Sequence, residues 1–68
     1  MNGFKKIGEK IKFYREKRGL SIDNISIATQ INKSRFEKIE NGDVVYQLNT
    51  LSKIANILEV DLPELLDF

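Results

Sequence analysis

The feature that most constrains this chain is a helical hydrophobic rhythm running almost from end to end. Apolar residues recur at steps of three and four, and no stretch of strict alternation is long enough to compete as a strand. Each amphipathic helix must bury its apolar stripe, and 68 residues leave room for one modest core. The reading is therefore all-α: a compact five-helix bundle forming a single domain over residues 1–68.

The helices follow from caps and spacing. The first covers about Phe4–Arg18, with Phe4, Ile7, Ile11 and Tyr14 on one face, and Gly19 ends it as a left-handed cap. Ser21 is placed to cap a second, about Ile22–Thr29, which buries Ile25 and Ala28, with Ile22 at its edge. Asn32 caps a third, about Lys33–Asn41, whose inward residues are Phe36 and Ile39, and Gly42 closes it as Gly19 closes the first. The segment Asp43–Gln47 is the longest connection; Val44, Val45 and Tyr46 have β character, but one run without a partner makes no sheet. A fourth helix covers about Leu48–Leu58, with Leu48, Leu51, Ile54, Ala55 and Leu58 on one face. Asp61-Leu62-Pro63-Glu64 has the form of a capping box and starts a terminal helix bearing Leu62, Leu65 and Leu66.

Composition excludes several functions. With no His and no Cys there is no imidazole base, no thiolate nucleophile and no zinc or iron–sulfur site of the usual kind. The acid pairs Glu37 with Glu40 and Asp61 with Glu64 have ordinary helical explanations, so no enzyme activity, cofactor, metal or small-molecule ligand is expected. The longest uncharged stretches, Asn24–Asn32 and Val44–Ser52, have nine residues each. That is far short of the roughly 20 apolar residues that span a bilayer. The amino terminus lacks the apolar core of a signal peptide, so a cytoplasmic location is expected.

The net charge of +1 conceals a polarity. Residues 1–42 carry ten basic side chains against five acidic ones, a balance of +5, whereas residues 43–68 carry Lys53 against five acids, a balance of −4. Such a chain presents either a basic face to a polyanion or a solvated surface with chance asymmetry. The second and third helices, joined by a turn of about three residues over 22–41, are the parts of a helix-turn-helix. With Phe36 and Ile39 inward, Ser34, Glu37, Lys38 and Asn41 point outward, and Lys33 and Arg35 flank the amino end. These side chains either solvate the outside of a bundle or read base edges in a major groove, whose width admits one α-helix.

The runs IGEKIKFYREKRGLS (7–21), IATQINKSRFEKIENG (27–42) and LNTLSKIANILEVDLPELL (48–66) together resemble the Cro/phage-repressor (Xre) family of helix-turn-helix regulators, in register over about nine tenths of the chain. The most diagnostic pieces are Arg15 before Gly19-Leu20-Ser21, Ile39-Glu40-Asn41-Gly42, and Leu51-x-x-Ile54-Ala55-x-x-Leu58. The resemblance implies a lambda-repressor-like DNA-binding domain and a sequence-specific regulator of transcription, commonly a homodimer on double-stranded DNA. It assigns base contacts to Lys33, Ser34, Glu37 and Lys38, and backbone contacts to Ser21 and Asn41, to which the flanking Arg35 is added. Arg15 and Glu40 fall where relatives form a partly buried ion pair between the first and third helices.

Three departures from the family pattern bear on binding. Ile22 stands where Gln is frequent, and Gln30 stands in the turn where a small residue, often Gly, is usual. The loop Asp43–Gln47 holds no basic residue where relatives often supply some, which predicts few phosphate contacts and a shallow salt dependence. Leu66 and Phe68 exceed what one short terminal helix can turn inward and are candidate dimer contacts. The alternative is a protein-interaction module on the same scaffold, an antitoxin-like or adaptor subunit docking through the partly apolar loop Val44–Tyr46.

Overall fold

The structure, a computed structural model, describes residues 3–66. Five helices, α1 (Gly3–Lys17), α2 (Ile22–Thr29), α3 (Lys33–Asn41), α4 (Leu48–Leu58) and α5 (Leu62–Leu66), account for all regular structure among the described residues. Every boundary lies within about one residue of the position expected from caps and periodicity.

Local chemistry sets those boundaries. The Ser21 hydroxyl accepts the Asn24 amide at 3.0 Å, and the Asn24 side chain accepts the Ser21 amide at 3.2 Å, a reciprocal box that satisfies two otherwise orphaned donors. Asn32 Oδ1 accepts the Arg35 amide at 2.7 Å and starts α3. At α5 the first turn is closed between backbones, the Glu64 amide donating to the Asp61 carbonyl at 2.9 Å, in place of the side-chain capping box expected there.

Four residues in the left-handed region stop the first four helices. Gly19 (φ 70°) and Gly42 (φ 76°) do so without steric cost, but Gln30 (φ 60°) and Glu59 (φ 59°) carry a Cβ into it. Gln30→Gly is expected to stabilise the domain by about 0.5–1 kcal/mol, relief of the left-handed strain outweighing the greater freedom of an unfolded glycine. Thermal unfolding should register a rise of a few degrees; a fall would mean that the Gln30 side chain contributes more than its backbone costs.

The core is built by Ile7 and Ile11 of α1, Ile25 of α2, Phe36 and Ile39 of α3, Leu51, Ile54, Ala55 and Leu58 of α4, and Leu65 of α5, with Ile31 of the turn. The first helix packs against α3, α4 and α5, so it is the spine of the bundle. Three sequence expectations require correction. Ala28 is exposed and Thr29 takes its place inside, because the Thr29 hydroxyl donates to the Ile25 carbonyl at 2.7 Å and so enters the core satisfied. Leu48, at the first position of α4, is 61% exposed and does not join the buried face. Val44 and Tyr46, both in the loop offered as a docking surface, pack against the core instead. The Tyr46 ring meets Phe4 edge to face at 5.0 Å, and its hydroxyl is buried with no hydrogen-bond partner among the described residues. Burial pushes that phenol above its ordinary pKa of 10.0.

Candidate nucleic-acid interface

The third helix is held against α1 by two glycines. A Cβ on Gly8 would lie 2.2 Å from the Glu40 carbonyl oxygen, and one on Gly42 would lie 2.5 Å from Lys5 Cα, so only hydrogen allows the two backbones this approach. Across the same seam, Arg15 Nε donates to Glu40 Oε2 at 2.6 Å and Nη2 donates to Oε1 at 3.3 Å. Both side chains are nearly buried, with 10% and 6% exposure. The remaining guanidinium edge donates through Nη1 to the Leu20 carbonyl at 2.8 Å. One arginine thus ties α1 both to α3 and to the residue preceding the cap of α2, fixing the two helices of the motif against a common strut.

Phe36 and Ile39 are fully buried beneath α3, and that leaves its other sides to solvent. Lys33, Ser34, Arg35, Glu37, Lys38 and Asn41 are all exposed. At ~1.5 Å per residue α3 is about 13 Å long, with the ~10–12 Å girth that a major groove accepts. Ser21 is exposed at the start of α2, its oxygen accepting the cap bond while its own proton remains available to an acceptor such as a phosphate oxygen. Ile22 lines a surface cleft with Lys12, Arg15, Glu37, Glu40 and Asn41. Ile22 is partly buried and packs against the core.

The chain matches the helix-turn-helix domain family over residues 8–67. It belongs to that family. This helix-turn-helix domain is 37% identical over 62 residues to the HTH-type transcriptional regulator SlrR of Bacillus subtilis, an alignment covering 90% of this chain and 41% of SlrR. The chain therefore spans about two fifths of that relative's length. Among solved structures, it is 32% identical to an HTH_3 family transcriptional regulator from Vibrio cholerae with a TM-score of 0.84, covering 93% of this chain and 35% of the other. The restriction-modification controller protein C.AhdI from Aeromonas hydrophila shares its fold at a TM-score of 0.86 and 24% identity, over 91% of this chain and 94% of that one. The domain is thus an Xre-like helix-turn-helix protein from a family of transcriptional regulators.

Two residues that shape the interface, Gly8 and Asp23, lie outside the site residues expected from the sequence. Gly8 interrupts an otherwise strong helical pattern, and such a glycine commonly marks a packing requirement. Asp23 lies 3.4 Å from Lys33, a cross-helix pairing that spacing alone cannot foretell. Of the two expected dimer contacts, Leu66 is 42% exposed and Phe68 lies outside the described residues. No helix among the described residues is long and apolar enough to cross a membrane.

Proposed function

We propose that residues 1–68 act as a single sequence-specific DNA-binding domain of a cytoplasmic transcriptional regulator, with α3 as its reading helix. The observation that carries this reading is the outward row Lys33, Ser34, Glu37 and Lys38 on a helix wedged in place by Gly8 and by the Arg15–Glu40 pair. Lys33 and Lys38 can donate to guanine O6 and N7, Glu37 can accept from cytosine N4, and Ser34 can do either. Ser21, Arg35 and Asn41 serve the DNA backbone, the first of them at a helix amino end that favours an anion. With no basic residue between Asp43 and Gln47, few phosphates are neutralised, and one domain binds with modest affinity. A two-fold dimer restores it through effective concentration. Leu66 and Phe68 are its proposed contacts, and the operator is palindromic, with half-site centres about 34 Å apart. Repression is the proposed outcome of occupying such a site.

Selection from a random duplex pool at moderate salt tests the reading. Wild type should enrich an inverted repeat that a Lys33→Ala, Lys38→Ala double variant fails to enrich. Exposed Val45 (77%), within the connection after α3, and Leu48 (61%), at the start of α4, favour a second reading, a protein-interaction module. Folded wild type that enriches no sequence would shift the assignment to that module.

A further inference from the structure

We propose that Asp23 is a built-in competitor of DNA for Lys33, and thereby a brake on the affinity of the domain for any duplex that Lys33 engages. The inference rests on the DNA-binding reading and concerns the regulation of that same face. Asp23 sits in the first turn of α2, two residues beyond the Ser21 cap, where a carboxylate complements the helix dipole. Its Oδ1 lies 3.4 Å from Nζ of Lys33, the first residue of α3, and both side chains are more than half exposed. The two helix amino ends expected to meet DNA are therefore bridged by one carboxylate. Toward Lys33, that carboxylate takes the place a phosphate oxygen would take.

An exposed pair of this kind is weak, so it does not lock Lys33 but sets what a DNA acceptor must outcompete. On an arbitrary duplex, Lys33 exchanges a carboxylate for a phosphate and little is gained. On a matched site, Lys33 reaches a purine edge inside the groove, where directed donation to O6 and N7 adds what the phosphate exchange lacks. The pair is given up whenever Lys33 engages DNA, so Asp23 weakens binding to the matched site by the full worth of the pair and to an arbitrary duplex by no more than that.

The test measures dissociation constants of wild type, Asp23→Asn, Lys33→Ala and the combined variant, on the duplex enriched by selection and on its scrambled counterpart. Circular dichroism confirms that each variant is folded. Asp23→Asn should tighten the selected duplex by up to about fivefold, the ceiling an exposed pair allows, and the scrambled one by no more than that. That gain should vanish in the Lys33→Ala background, and the charge-retaining Asp23→Glu should resemble wild type. A gain that persists without Lys33, no gain at all, or weaker binding of the selected duplex overturns the inference while leaving the DNA-binding reading intact. Wild type that is folded and binds neither duplex overturns that reading, and the inference with it.

Discussion

Gly8→Ala is expected to remove a large part of the stability of the domain. The added methyl would stand 2.2 Å from the Glu40 carbonyl oxygen and 2.7 Å from both the Glu40 carbonyl carbon and the Ile39 carbonyl oxygen. All three are backbone atoms, so no side chain can rotate aside, and α1 must back away from α3. That displacement draws Ile7 and Ile11 from the core they share with Phe36 and Ile39, and it stretches the Arg15–Glu40 pair. Overpacking ordinarily costs about 1–3 kcal/mol and more where the structure cannot yield. We expect a loss of at least ~3 kcal/mol, from a total stability that for this size is only about 3–10 kcal/mol. The loss is net of the ~1 kcal/mol by which alanine outperforms glycine inside a helix. Urea and thermal unfolding followed by circular dichroism would decide it. A variant as stable as wild type would refute the close approach of α1 and α3.

Glu40→Ala should cost nearly as much for a different reason. It leaves the Arg15 guanidinium nearly buried with the Leu20 carbonyl as its remaining partner. Breaking one side of a buried pair costs about 3–5 kcal/mol, whereas replacing both sides by apolar residues of similar volume is often neutral or better. The pair Arg15→Met, Glu40→Leu should therefore recover most of the stability that Glu40→Ala loses. It should not recover discrimination between the selected and scrambled duplexes, because the bond from Arg15 to Leu20 that seats α2 is gone. A rescued fold with undiminished discrimination would show that the pair serves stability alone.

Much of this architecture was legible in the residues, because its helices begin and end on local chemistry. Ser21 and Asn32 announce the starts of α2 and α3, and Gly19 and Gly42 the ends of α1 and α3, each by a bond or a backbone angle that the residue type favours by itself. What escaped depends on atoms distant in sequence or on exceptions to type. Glu59 adopts a left-handed angle against its steric preference, with its carboxylate 3.0 Å from Arg18. Thr29 displaces Ala28 from the interior through a hydroxyl bond that a hydropathy pattern does not record. Leu48 follows the apolar spacing of α4 yet lies at its first position and stays exposed. At the interface, the outward row of α3 followed from periodicity. The reach of Lys33 to Asp23 depends instead on how two helices cross.

The central position of α1 also dictates when the chain can fold during its synthesis. Its apolar face is completed by α3, α4 and α5, and the fully buried Leu65 stands nearly at the far end of the sequence. A ribosome adding about 5–20 residues per second exposes α1 seconds before its final partner exists. Through that interval Ile7 and Ile11 lack part of their cover, and short isolated helices are marginal in water. The nascent domain therefore gains its cooperative stability late, once α5 has cleared the exit tunnel.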